Sequence, residues 1–115
     1  MLTNTSVSQT ILFVIAMERE AGPLREFLNL KKDPLFENHP IADSWIGNFE
    51  GMQMVMMLAK PDPKYGCDSI GPESAAVVTY IGVETYQPNL IISAGTAGAF
   101  ETYFLKQIQG QYIFF

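Results

Sequence analysis

Two short segments of the chain place reactive side chains directly after apolar runs. In the first, Ile11–Gly22 (ILFVIAMEREAG), a run of apolar residues leads straight into Glu18-Arg19-Glu20. In the second, Gly95-Thr96-Ala97-Gly98 follows the apolar run LIISA. A carboxylate can activate a water molecule, and a hydroxyl between glycines suits close approach by a small ligand. The two segments therefore predict a small-molecule site at the ends of two strands.

Each signal also has a purely structural interpretation. Carboxylates at the start of a helix interact favourably with the helix dipole, which suffices to explain Glu18. A lone G-x-x-G is more often a tight turn than a binding loop. Dinucleotide binding is disfavoured, because the glycine-rich fingerprint is absent after the first apolar run, where the chain reads AMEREAG.

The composition excludes several classes of function. The 115 residues are 48% hydrophobic, which is enough for one packed domain. Twelve acidic and seven basic residues give a net charge of -5, which argues against nucleic acid and anionic membranes as partners. Cys67 is the single cysteine, so no internal disulfide forms, and no Lys or Arg precedes the first apolar run, unlike in a signal peptide. We expect a cytoplasmic protein.

The hydrophobic patterning predicts alternating strands and helices. Residues 9–15 and 90–94 are apolar on both faces, as in strands covered by helices. A helix is predicted from Pro23, a hairpin over residues 44–59 with its turn at Glu50-Gly51, and a second helix from Pro72 to Gln87. The predicted buried stripe of this second helix consists of Ala76, Val77, Tyr80, Ile81 and Val83. This order indicates an α/β layered fold, in which ligands bind at the carboxyl ends of the strands.

The order of the motifs resembles that of the methylthioadenosine/S-adenosylhomocysteine nucleosidases, in the nucleoside phosphorylase superfamily. The matching segments are A-M-E-x-E, the E-G hairpin, D-S-I-G and Q-P-N-L-I-I-S-A-G-T-A-G, which span Ile11 to about Phe100. The spellings at Glu20–Leu24 and Asp68–Gly71 are most similar to plant-type members. The resemblance implies a truncated three-layer α/β/α sandwich with a central mixed sheet. Residues 1–115 would form a single, incomplete domain whose residues 101–115 are a divergent tail.

The resemblance also implies roles for individual residues. Glu20 is the carboxylate that polarises the attacking water, and Glu18 points outward. The substrate-binding positions are Met17, Ile70, Thr96, Ala97 and Gly98. Phosphorylases of the superfamily carry an arginine three residues before the Thr96 position, where this chain has Ser93, so water is favoured over phosphate as acceptor.

The reaction implied is hydrolysis of the N-glycosidic bond of methylthioadenosine-type nucleosides to adenine and the thioribose, in nucleoside catabolism and methionine salvage. No cofactor or metal is implied. The expected partner is a purine nucleoside, and a homodimer is expected by family analogy.

The resemblance ends at about Phe100. The family's ribose-clamping Met-Glu and the aspartate that protonates adenine have no counterpart in these residues, and Gln111 stands where an aspartate is expected. We therefore expect activity to be impaired or absent in this chain. The alternative is a catalytically inactive, nucleoside-binding or structural fragment of the same family.

Overall fold

The computed structural model describes residues 9–64 and 71–96, together with the backbone of residues 107–108 and 111–112. Five strands form one sheet, in the order β2-β3-β4-β1-β5. They are β1 (Thr10–Ile15), β2 (Lys31–Lys32), β3 (Ala42–Phe49), β4 (Met52–Ala59) and β5 (Leu90–Ala94). The described ranges also contain the helices α1 (Glu18–Phe27) and α2 (Pro72–Tyr86) and a 3₁₀ turn at Pro34–Phe36. A separate antiparallel pair joins β6 (Gln107–Ile108) to β7 (Gln111–Tyr112).

The sheet is mixed, as predicted. Strand β1 pairs in parallel with both β4 and β5, whereas β3 pairs antiparallel with β4 and with β2. Strands β1, β4 and β5 therefore end at the same edge of the sheet. That edge is where an α/β fold exposes the groups that contact ligands.

The helices cover opposite faces of this sheet, which gives three layers. On one face, Ala21 and Leu28 of the α1 segment pack with Met54 and Met56. On the other face, Val78 of α2 packs with Val55 and Met57. Because successive side chains of a strand point to opposite faces, β4 contributes methionines to both cores. These methionines fill the core and are fully or nearly fully buried.

The turn between β3 and β4 lies where the sequence predicts it. Glu50 has a φ of 51° and Gly51 a φ of 82°. Two consecutive positive φ values are typical of a type I′ turn, whose twist matches that of the strands that it joins. The Glu50-Gly51 hairpin is therefore confirmed.

The prediction that the first helix begins at Pro23 is wrong, because α1 begins at Glu18. The carbonyl of Met17 accepts hydrogen bonds from the amides of Glu20 (3.0 Å) and Ala21 (3.1 Å), which starts the helix five residues before the proline. Pro23 lies inside the helix and leaves the carbonyl of Arg19 without its amide donor. Arg19 is exposed, so water can satisfy that carbonyl. The consequence is that Glu20 belongs to the first helical turn.

The predicted bounds of α2 are confirmed, but its predicted buried stripe is right only in part: Ile81 and Val83 are half-buried, whereas Ala76, Val77 and Tyr80 are exposed. The buried residues are Val78 and Gly82, whereas Val77 is 43% exposed and Tyr80 67% exposed. A Cβ at Gly82 would lie 2.7 Å from Leu12 Cδ2. Helix α2 therefore packs closely on β1 at Gly82, the one glycine within the helix. Apolar residues occur on several sides of α2, and their periodicity does not determine which side faces the sheet.

A partly buried hydrogen-bond chain that the sequence does not predict holds the carboxyl end of α2. The Tyr86 hydroxyl donates to Asp33 Oδ2 at 2.5 Å. The Ser44 hydroxyl lies 2.7 Å from Tyr86 Oη, and it donates because the tyrosine proton is already used. Burial, followed by the Asp33 carboxylate, raises the pKa of Tyr86 well above its ordinary value.

We expect Tyr86→Phe to lower the free energy of unfolding by about 1–2 kcal/mol, because it leaves the partly buried Asp33 carboxylate and the buried Ser44 hydroxyl without their partner. Tyr80→Phe on the same helix is the matched control, since Tyr80 is 67% exposed, and its effect should stay within about 0.5 kcal/mol. Urea denaturation followed by Trp45 fluorescence measures both. Equal stability of the two variants would contradict the proposed contribution of the Tyr86 hydrogen bonds.

Several predicted features lie outside the described residues, namely Cys67, Ile70, Ala97 and Gly98. Among the residues that the structure describes, no helix is long and apolar enough to cross a membrane.

Candidate functional site

A pocket of about 310 Å³ lies at the edge of the sheet where β1, β4 and β5 end. Ala16 follows β1, Ala59 ends β4, and Gly95 and Thr96 follow β5; all four line this pocket. The amino-terminal turn of α2 closes another side through Ser74 and Ala75. The volume is at the lower end of the range for small-molecule sites. We refer to it as the strand-end pocket.

Glu20 reaches the strand-end pocket from the first turn of α1. The chain leaves β1 at Ile15 and enters the helix after Met17, so Glu20 stands at the third helical position, close to the end of the strand. An anionic side chain is stabilised there by the helix dipole. The side chain is half-buried and lines the pocket.

Thr96 holds the Glu20 carboxylate with two hydrogen bonds. The Thr96 amide and the Thr96 hydroxyl each donate to Glu20 Oε2 at 2.7 Å. The parallel register places Ile15 opposite Ala94. This pairing brings Glu20 close to Thr96, although the two residues are 76 positions apart in the sequence. Both bonds end on one oxygen, so Thr96 leaves Oε1 to accept a hydrogen bond from a ligand or a water molecule.

These hydrogen bonds lower the pKa of Glu20 below its ordinary value. The Thr96 amide has the largest effect and the Thr96 hydroxyl the next; the Met17 amide adds a smaller lowering, and burial opposes all three. Glu20 is therefore ionised at neutral pH. In the linkage between charge and folding, a lowered pKa stabilises the fold at neutral pH, and this contribution is lost as the pH falls through the pKa of the folded state.

The remaining lining of the pocket is mostly apolar, with two hydroxyls besides that of Thr96. Ser93 on β5 and Ser74 on α2 contribute these hydroxyls, while Val14, Ile15 and Val78 form apolar wall. Among the described lining residues, Glu20 is the one with an ionisable side chain. Ser74 was not identified from the sequence, although its position in the first turn of the helix after D-S-I-G was a usable signal.

The structure brings together Glu20 and Thr96 among the residues predicted for the site. Met17 is half-buried at the N-cap of α1 and does not line the strand-end pocket as described. Ile70, Ala97 and Gly98 lie outside the described residues. Glu18 is exposed and forms an ion pair with Arg25, away from the pocket lining.

Comparison with known proteins identifies the family. The sequence profile of the Phosphorylase superfamily matches residues 10–106 of the chain. The chain belongs to the phosphorylase superfamily. The matched range contains β1 to β5, both helices and the Glu20–Thr96 pair, so the superfamily domain and the described α/β unit are the same part of the chain.

The phosphorylase-superfamily chain is similar to nucleosidases in both sequence and structure. A 5'-methylthioadenosine/S-adenosylhomocysteine nucleosidase of Arabidopsis thaliana is 36% identical over 95 residues, which cover 80% of this chain and 37% of that protein. A crystal structure of an MTA/SAH nucleosidase matches with a TM-score of 0.75 and 33% identity, over 82% of this chain and 39% of that one. The corresponding nucleosidase from Colwellia psychrerythraea, solved in complex with adenine, matches with a TM-score of 0.62, 25% identity and a coverage of 84% and 35%. The chain thus spans little more than a third of the length of these relatives.

We expect Thr96→Val to raise the pKa of Glu20 towards its ordinary value, because the hydroxyl bond to Oε2 is lost while the amide bond remains. Carbon-detected NMR of the Glu20 carboxyl group across an acid titration measures the shift. Thr85→Val is the matched control, since Thr85 is exposed on α2 and does not line the pocket. An unchanged Glu20 titration in Thr96→Val would contradict the described pairing.

Proposed function

We propose that the chain carries the water-activating side of a nucleosidase site, which hydrolyses the N-glycosidic bond of methylthioadenosine-type nucleosides to adenine and the thioribose. The observation that carries this proposal is the Glu20 carboxylate, held ionised by Thr96 at the mouth of a strand-end pocket. The similarity to nucleosidases, one of them solved with adenine, supports a purine nucleoside as the ligand.

The geometry suits this chemistry in two ways. Cleavage of a nucleoside bond develops positive charge on the ribose, and a fixed carboxylate beside it stabilises that charge. Glu20 Oε1 is oriented by the bonds that Thr96 makes to Oε2, so it can accept a proton from water and align that water with the sugar. A lowered pKa makes Glu20 a weak base. A weak base is sufficient in this reaction, because the cationic sugar is the strongly activated reactant and the water needs little activation.

Water is a more suitable acceptor than phosphate in this pocket. A phosphate site ordinarily uses arginine or lysine to neutralise the dianion. The described lining contains no basic side chain, and Ser93 provides an uncharged hydroxyl on β5. The fixed negative charge of Glu20 would further repel a phosphate ion.

We expect Glu20→Gln to reduce whatever adenine release the chain supports from methylthioadenosine by about 10²–10⁴-fold, because the amide neither accepts a proton nor stabilises the cationic sugar. Nucleoside affinity, measured by calorimetry, should change only a few-fold, since the amide has nearly the same shape. Glu18→Gln is the matched control and should retain the wild-type rate, because Glu18 pairs with Arg25 outside the pocket lining. An undiminished rate in Glu20→Gln would exclude the proposed role.

We also expect adenine release to be independent of inorganic phosphate. Chromatography with and without phosphate, combined with a reducing-sugar assay, separates the two reactions: hydrolysis yields the free sugar and phosphorolysis a sugar 1-phosphate. A rate that rises with phosphate concentration would favour phosphorolysis.

A second candidate is nucleoside binding without turnover. It is favoured by one observation: Glu20, ionised at neutral pH, is the single ionisable group in the described pocket lining, so no described lining residue can protonate the departing adenine. Calorimetric binding of methylthioadenosine with no adenine above background would select this candidate.

A further inference from the structure

Gly95 lies between the end of β5 and Thr96, and its backbone does not require a glycine. The described glycines with positive φ are Gly51 and Gly71, and Gly95 is not among them. Gly95 is also exposed, so no packed core forces a small residue at this position. Backbone conformation and burial therefore do not account for the absence of a side chain here.

The Glu20 carboxylate lies in tight contact with the position that a side chain at residue 95 would take. A Cβ built on Gly95 would lie 3.2 Å from Glu20 Oε2 and 3.6 Å from both Cδ and Oε1. Apart from the adjoining Ala94 and Thr96, these three carboxylate atoms are the nearest described neighbours of that position. The sequence suggests a glycine turn that a ligand approaches closely, whereas the structure shows a carboxylate of the protein itself in that place.

A movement of the carboxylate away from a new Cβ would alter its own hydrogen bonds. Contacts of 3.2 Å are tighter than ordinary van der Waals contact, so Glu20 would have to shift by a few tenths of an ångström. Both Thr96 bonds to Oε2 are already 2.7 Å long and share that one oxygen. A shift of Oε2 away from position 95 therefore changes both bonds at once.

We propose that Gly95 is a positioning residue, whose missing side chain lets the Glu20 carboxylate lie against the end of β5 and engage the Thr96 amide and hydroxyl together. The proposal rests on the proposed function only in treating Glu20 as the catalytic carboxylate, since the contact itself is independent of any ligand. The proposal explains why the first residue of G-T-A-G is a glycine: a side chain there would press against the Glu20 carboxylate.

Gly22 provides a matched control on the same helix as Glu20. A Cβ at Gly22 would lie 3.7 Å from Glu18 Oε2 and 3.9 Å from Arg25 Nη2, which are ordinary contacts. Gly22→Ala therefore adds the same methyl group beside a glutamate carboxylate without displacing it. It also leaves the strand-end pocket untouched, because Gly22 is not among the lining residues.

The test is an acid titration of the Glu20 carboxyl group by NMR, in wild type, Gly95→Ala and Gly22→Ala. We expect Gly95→Ala to move the titration midpoint of Glu20 upward and to shift the Thr96 amide resonance, with both unchanged in Gly22→Ala. A Gly95→Ala protein that reproduces the wild-type midpoint and amide shift would overturn the proposal. If instead the proposed function fails, the wild-type protein neither binds nor cleaves methylthioadenosine, but Gly95→Ala still changes the titration of Glu20.

A double-mutant cycle keeps the proposal testable if Gly95→Ala loses stability. In a Glu20→Ala background the nearest described neighbour of the new methyl group is gone, so Gly95→Ala should then have no effect on the urea midpoint. Loss of folding in Gly95→Ala that is relieved by Glu20→Ala would support the proposal. Loss of folding that persists in the Glu20→Ala background would show that the backbone requires the glycine, and would overturn it.

Discussion

The parallel pairing of β1 with β5 is the constraint on which the site depends. It sets Ile15 opposite Ala94, and the next residues of the two strands then lead to Glu20 and to Thr96. A shift of this register by one residue would turn the side chains of β5 to the opposite face. Two hydrogen bonds at the start of the pairing fix the register, since the Thr10 amide donates to Asn89 Oδ1 and the Asn89 amide to the Thr10 carbonyl, both at 2.8 Å.

The electrostatics of the site follow from the same arrangement. The strand-end pocket combines one fixed negative charge with neutral hydroxyls and apolar walls, and its described lining carries no cation. Such a site favours neutral ligands that develop positive charge in the transition state and disfavours anions. Membership of the phosphorylase superfamily gives the architecture, while the charge distribution supports the proposal of water rather than phosphate as acceptor.

Much of this structure could be predicted from the sequence because the signals are local. The strands β1 and β5, the Glu50-Gly51 turn and the bounds of α2 depend on short-range patterns and were confirmed. The predicted burial of β5 on both faces was wrong, because β5 is an edge strand of the described sheet and Leu90 is 52% and Ile91 44% exposed. The start of α1 and the buried side of α2 were predicted wrongly or only in part, because they depend on tertiary contacts. Helix α1 begins directly after Met17, close to the end of β1, and helix α2 packs on β1 through Gly82. The motif order led to Glu20 and Thr96, but their direct contact across 76 residues required the pairing of strands to be known.

The separation of those residues along the chain has a consequence for the order of folding. Strands β3 and β4 are joined by two residues, and such hairpins close within about 1–10 µs. The β1–β5 ladder must bring together segments separated by most of the described chain, and contacts this distant in sequence form slowly. We therefore expect the strand-end pocket to form last, after the β3–β4 hairpin is already in place.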